Sequence, residues 1–117
     1  MSDTQKDLHK KLYGKLGENL VVKYLKKLGY RLIKRNFTTP YGEADIIMEK
    51  NGETFFIEVK ARSSDAYGEP KDAVGYKKQE KYRKIASYYS QKHGDKQISF
   101  AVAEVVGDKV NVIFDAF

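Results

Sequence analysis

Residues 42–62 read GEADIIMEKNGETFFIEVKAR, and the fold turns on how this stretch is parsed. Asn51-Gly52 at its centre is the strongest short hairpin signal, because the tight turn asks for positive φ at positions these residues tolerate. The runs on either side, Gly42–Lys50 and Thr54–Arg62, are rich in Ile, Phe and Val, as strands are. A two-residue turn fixes the register. Lys50 faces Glu53, Met48 faces Phe55, Ile46 faces Ile57, and Asp45 faces Glu58. Alternation then assigns Ala44, Ile46, Met48, Phe55, Ile57, Val59 and Ala61 to one face, expected to be core. Glu43, Asp45, Ile47, Phe56, Glu58 and Lys60 share the other. That second face is apolar beside the turn and ionic away from it, the pattern of a cleft at the end of a sheet.

Working outward, Tyr30–Phe37 reads as a preceding strand and Thr38–Tyr41 as a loop around Pro40. Before them, Leu8, Leu12, Leu16 and Leu20 recur every fourth residue. Val21, Tyr24, Leu25 and Leu28 continue the stripe, which predicts a helix from about Lys6 to Leu28 with Gly29 as its stop. Residues 1–5 are expected to be a loose tail. Gly14 and Gly17 lower helix propensity inside this segment, and close approach of the backbone to the sheet or to a ligand would explain them. After the hairpin, Ser63–Pro70 is a turn-rich loop. A second helix is expected over about Asp72–Lys92, with Val74, Tyr82, Ile85, Ala86 and Tyr89 at helical spacing and Gly94 at its end. Ile98–Val106 is an apolar strand, and Gly107-Asp108 turns into a final strand, Val110–Phe114. The order is helix, three strands, helix, two strands. The first three strands form a meander, and the second helix supplies the crossover a parallel fourth strand requires. The class is α/β: one domain over 1–117 built on a mixed sheet flanked by helices.

The chain has 117 residues, suited to one domain with one core, and 41% are apolar, enough to fold. Lys and Arg outnumber Asp and Glu by 22 to 16, a moderate basic bias that suits a polyanionic partner and also an ordinary basic surface. The absence of cysteine excludes disulfides, thiolate zinc sites and cysteine nucleophiles, and fits a cytoplasmic location. No apolar run reaches membrane-spanning length, and Met1–Lys11 carries no hydrophobic signal core.

Asp45 and Glu58 are the residues that suggest chemistry. Like charges directly opposite on a sheet repel, and a fold rarely keeps them without a cation between them. Glu58 also interrupts Phe55–Val59, otherwise the apolar run of a central strand. Lys60 points the same way two residues on. Phosphodiester hydrolysis adds negative charge to a centre that is already anionic. A hard divalent ion held by oxygen ligands answers that charge, so Mg²⁺ or Mn²⁺ suits this pair. Asp45 and Glu58 are assigned as ligands, Val59 as a carbonyl ligand, and Lys60 as the group that orients the nucleophile or stabilises the transition state. The plainer alternative is a cross-strand Glu43–Lys60 ion pair beside an exposed Asp45; it leaves Glu58 unexplained.

Glu18 borders the buried stripe of the first helix and follows Gly17. Taken alone it reads as a solvated glutamate pairing with Lys15 or Lys23. Basic residues Lys71, Lys77, Lys78, Lys81, Arg83 and Lys84 load the second helix. Arg31, Lys34 and Arg35 precede the hairpin, and Arg62 follows Lys60. Such charges are usually solvated surface; gathered round an acidic metal site they would hold a phosphate backbone. Tyr41, Tyr67, Tyr76 and Tyr82 could stack on unpaired bases or pack in the core.

Gly17-Glu18, Gly29-Tyr30, Arg35-Asn36-Phe37, Gly42–Ile47, Glu58–Arg62 and Lys77-Lys78-Gln79 occur in that order. Together they resemble the YraN-like family of small bacterial and archaeal proteins across about residues 10–105. That family is similar to the restriction-endonuclease-like superfamily, whose pattern is an acid followed by acid-x-lysine and whose fold archaeal Holliday-junction resolvases share. The resemblance implies that Asp45 is the first acid, that Glu58 and Lys60 are the acid-x-lysine pair, and that Glu18 is a helical acid beside the metal. It also brings Gln79 to the site, with Arg35, Arg62, Lys77, Lys78 and Lys81 as nucleic-acid contacts. Two departures stand out: Ala44 replaces a larger aliphatic residue, and Ser99-Phe100-Ala101 replaces an Arg-Phe-Asp-like run. The expected function is a Mg²⁺-dependent endonuclease acting on DNA, including branched or structured DNA. The alternatives are a non-catalytic nucleic-acid-binding module and a protein-interaction adaptor on the same fold. A homodimer would suit cleavage of both strands, and nothing in the residues demands one.

Overall fold

The computed structural model describes residues 3–62 and 74–117, with side chains from residue 14 onward. Its elements follow in the order α1 (Asp3–Lys27), β1 (Arg31–Thr39), β2 (Gly42–Lys50), β3 (Glu53–Arg62), α2 (Tyr76–His93), β4 (Gln97–Val106) and β5 (Lys109–Ile113). This is the mixed α/β arrangement expected from the sequence. The turn at Asn51-Gly52 forms with φ 53 and 80 at its two residues, both in the left-handed region these residue types accept. The register it sets holds: Lys50 pairs with Glu53, Met48 with Phe55 and Ile46 with Ile57.

The five strands form one sheet in the order β1-β2-β3-β4-β5. β3 lies at its centre, antiparallel to β2 and parallel to β4, and β5 returns antiparallel. A strand covered on both faces accounts for the nearly unbroken apolar run Phe55–Val59.

Instead of one core there are two, one on each face of the sheet. On one face α1 packs Val21, Val22 and Leu25 over Ile46, Met48, Phe55, Ile57, Ala101, Ala103 and Val105. On the other, α2 packs Tyr82, Ile85, Ala86 and Tyr89 over Ile47 and Phe56. The alternation of β2 and β3 therefore feeds both clusters. Ala44 is the exception. Expected beside Ile46, it belongs instead to the α2 cluster with Ile47 and Phe56. The strand is irregular at this point. Asn36, which lies between the β1 residues paired to Ile46 and Ala44, has φ 52, and a bulge falls between Leu32 and Lys34. Such irregularities twist and bend a strand locally, and strict alternation does not survive them.

Several boundaries differ from the sequence reading. α1 starts at Asp3, so residues 3–5 are helical rather than a tail. Its buried face runs through Val21, Val22 and Leu25, whereas Leu16, Tyr24 and Leu28 are exposed. A step of four residues overshoots the helical turn of about 3.6 residues by roughly 40°, so an every-fourth stripe drifts off the buried face. β1 continues to Thr39, leaving only Pro40 and Tyr41 as the turn. α2 starts at Tyr76 after Gly75, and Val74, expected inside the helix, is buried ahead of it. The Ser63–Pro70 loop, Tyr67, Lys71 and Asp72 lie outside the described residues.

Candidate functional site

The acids gather where the β2–β3 ladder stops. Backbone pairing between the two strands ends at Ile46 and Ile57. One rung further, the Val59 N–H donates to Asp45 Oδ2 at 2.9 Å, so a side-chain carboxylate takes the place of a strand carbonyl. This fixes the Asp45 carboxylate against β3 next to Glu58. Burial, and then the charge of Glu58, push the Asp45 carboxyl up to about 7, against the lowering effect of the Val59 N–H. Glu18 adds a further raising contribution. Asp45 thus bears an electrostatic cost from its burial and from the nearby charge of Glu58.

Glu58 is buried, with two partners from α2. The Tyr82 hydroxyl donates to Oε2 at 2.6 Å, and the Lys78 ammonium lies 2.6 Å from Oε1. The Tyr82 oxygen also accepts the Asp45 N–H at 3.4 Å, so one hydroxyl ties the two acidic strands together. Tyr82 is fully buried, which rules out its expected use as a base-stacking ring. Burial and the charges of Glu58 and Asp45 hold its hydroxyl far above the usual tyrosine range, so it stays a donor. Tyr41 and Tyr76 are exposed and keep the stacking option.

Lys60 follows Glu58 on the same face and lies within hydrogen-bonding reach of Lys78. Burial, and then the Lys78 charge, lower its pKa, with Glu58 pulling the other way. Lys78 moves in the opposite direction: burial disfavours its charge, but the hydrogen bond and charge of Glu58 outweigh that and raise its pKa.

Glu18 reaches the site from α1 across the sheet. Gly17 makes this approach possible, because a Cβ there would sit 2.9 Å from the Ala61 Cβ on β3. Among the described residues nothing lies within 4 Å of where a Gly14 Cβ would be, so no close approach is seen there. Glu18 Oε1 lies 3.5 Å from the Arg35 guanidinium rather than pairing with Lys15 or Lys23. Burial raises its pKa, Arg35 opposes, and Glu43 and Glu58 add to the rise. Among the described residues, no three acidic, histidine or cysteine side chains form a group that could hold an ion. The protein ligands on offer are therefore the Asp45–Glu58 pair with nearby backbone carbonyls, and Glu18 stands beside them.

The remaining predicted contacts are distributed around this centre. Gln79 donates to the Val74 carbonyl at 3.1 Å and secures the start of α2 rather than reaching the acids. Arg62 Nε lies 2.6 Å from Glu104 Oε1. Lys77 is exposed on the first turn of α2, and Lys81 lies against Gly42, close enough that a Cβ there would meet its Cδ at 2.7 Å.

Glu104 was missed by sequence reasoning. It is buried on β4 directly beside Lys60 in the parallel register. It interrupts the apolar run Ala101–Val106 much as Glu58 interrupts β3, and that signal could have found it. Tyr82 had a signal too, since a tyrosine on a fully buried helical stripe needs a partner for its hydroxyl.

Comparison with known proteins places the chain. A model described as "Uncharacterised protein family UPF0102" matches residues 17–113. A UPF0102 protein of Alkaliphilus metalliredigens is 42% identical over 112 residues, covering 92% of this chain and 98% of the relative. Those of Persephonella marina and Thermodesulfovibrio yellowstonii are 39% and 41% identical, each covering 89% of this chain, and 91% and 94% of their own lengths. No helix among the described residues is long and apolar enough to cross a membrane. The chain belongs to the UPF0102 family, the YraN-like proteins whose motifs its sequence carries.

Proposed function

We propose that the protein is a divalent-metal-dependent endonuclease acting on DNA, built on a restriction-endonuclease-like core. The observation that carries this reading is the Asp45–Glu58 pair: two carboxylates forced together at the end of a ladder, one of them with its pKa pushed up to about 7 by burial and the other's charge. Like charges held close together in a partly buried site repel. A cation bound between them relieves that cost, and two carboxylates with a backbone carbonyl suit Mg²⁺ or Mn²⁺.

Asp45 and Glu58 would hold the ion, with the Val59 carbonyl as a further oxygen. When bound, it would polarise a phosphoryl oxygen and lower the pKa of a coordinated water. The chain's own groups do the rest. The Val59 N–H and the Tyr82 hydroxyl orient the two carboxylates. Lys60, its pKa lowered by burial and Lys78, is placed to take or give a proton and to meet charge developing on the phosphate. Lys77, Lys81 and Arg62, the last anchored on Glu104, flank this centre as phosphate contacts. Branched or otherwise structured DNA is the substrate class that the resemblance to resolvase-type folds favours.

The test is a Mg²⁺- or Mn²⁺-dependent cleavage assay on supercoiled, linear, nicked and four-way DNA, run beside Lys60→Ala. Cleavage that falls by about 10²-fold or more in Lys60→Ala is expected. Equal cleavage by the variant would defeat the mechanism.

One observation favours a second reading. The Glu58 carboxylate already has a cation at 2.6 Å in Lys78, so the acids could serve a nucleic-acid-binding module without turnover. DNA binding that weakens steeply with salt, with no cleavage of any substrate, would support it.

A further inference from the structure

We propose that Lys78 is a tethered counter-cation for the acid pair. It leaves Glu58 when a divalent ion enters and is released toward the nucleic-acid phosphate, so that metal and polyanion bind with positive coupling. This rests on the metal-site reading above.

The contacts of Glu58 are divided in a way that suits such an exchange. Tyr82 holds Oε2 and Lys78 holds Oε1. Departure of Lys78 frees one oxygen while the other keeps the carboxylate oriented. Asp45 is likewise held through Oδ2 by Val59, so its fixed position does not depend on Lys78.

Lys78 is also easy to move. Its side chain is 32% exposed while that of Glu58 is 7% exposed, so the ammonium can withdraw toward water and the carboxylate cannot. Lys78 stands in the first turn of α2, which holds no acidic residue. A cation there opposes the helix dipole. It also lies within hydrogen-bonding reach of Lys60, whose own charge it disfavours. Glu58 is its main partner and Asp45 a lesser one, so once a divalent ion claims both carboxylates only the Lys60 contact is left to hold Lys78 inward. A phosphate is the obvious next partner, and Lys77 beside it is already exposed. Anything that draws Lys78 outward then favours the metal, and the coupling is reciprocal.

Mn²⁺ titration by calorimetry on the full chain separates the possibilities, using wild type, Lys78→Met, Lys78→Gln and Glu58→Gln. Wild type is also titrated with a non-hydrolysable phosphorothioate duplex present. Both Lys78 variants are expected to bind Mn²⁺ about tenfold more tightly than wild type, and the duplex to tighten wild-type binding by a similar factor. Glu58→Gln should lose binding. Unchanged or weaker Mn²⁺ affinity in the Lys78 variants, with Glu58→Gln still defective, overturns the Lys78 role and leaves the metal site standing. So does a wild-type affinity indifferent to the duplex, an arm that needs no substitution to fold. Absence of Mn²⁺ binding in every protein overturns the metal site and this inference together.

Discussion

The two ends of the β2–β3 ribbon obey different rules. At the turn end, backbone pairs with backbone from Lys50–Glu53 through to Ile46–Ile57, and side chains alternate between two apolar clusters. At the far end a carboxylate enters the ladder in place of a carbonyl, Ala44 changes face, and charged groups from both helices and the two strands are gathered together. Hydrophobic burial dominates at the first end. At the second, charged groups are half-buried or buried, and hydrogen bonds to Asp45 and Glu58 offset part of the cost. A region that gives up apolar packing for buried carboxylates, one of them strained, is where function is expected to reside.

That contrast can be broken most severely at the apolar end. Phe56→Ala removes a fully buried ring from the α2 cluster and should cost about 3–5 kcal/mol in urea unfolding. A loss below that of any site substitution would show that the packing is looser than it looks. At the ionic end, Tyr82→Phe keeps the ring but deletes the hydroxyl donated to Glu58 at 2.6 Å. Hydrogen bonds to charged groups contribute about 1.5–3 kcal/mol, and the same unfolding measurement should return a value in that range.

A third measurement uses pH on the metal-free protein. The folded-state pKa of Asp45 is raised from 3.8 to about 7, so between those values the folded chain holds more protons than the unfolded chain. Its contribution is fully favourable below 3.8 and is lost as pH rises through about 7. Asp45→Asn should therefore flatten the decline of stability with pH across that window, and parallel profiles for the two proteins would contradict the assigned environment. The smallest effect belongs to Arg31→Ala. This arginine pairs with Glu49 at 2.7 Å near the turn end, but its side chain is 71% exposed. A solvated pair contributes about 0–1 kcal/mol, so the midpoint should barely move.

The sequence was most legible where local rules suffice. Asn51-Gly52 sets the register, the apolar run of β3 marks the central strand, and the crossover helix makes β4 parallel; all follow from short-range chemistry. For Asp45 and Glu58 the register carried the reading only to the edge of the site, since the expected rung falls just beyond the last paired residues, Ile46 and Ile57, and a side-chain bond from Val59 N–H to Asp45 replaces it. What escaped was long-range. Lys78 looked like one basic residue among many on a solvated helix, and only the docking of α2 reveals its contact with Glu58. Tyr82 was placed on the helical stripe with stacking left open, and its hydroxyl contact with Glu58 depends on the same docking. The face change at Ala44 depends on irregular backbone in β1, which residue types alone do not announce.

The order of strands leaves β1 at the rim of the sheet, with one row of backbone donors and acceptors facing outward. Such a rim invites a stray chain to add itself and begin aggregation. Here it carries Arg31, Lys34 and Arg35, a bulge after Leu32, and a left-handed Asn36. Arg31 and Arg35 are occupied by Glu49 and Glu18, so the irregular backbone, with the Lys34 charge, is what discourages a strand from adding in register. The same backbone irregularity that turns Ala44 to the other face therefore also spoils the sheet's rim as a template for a further strand.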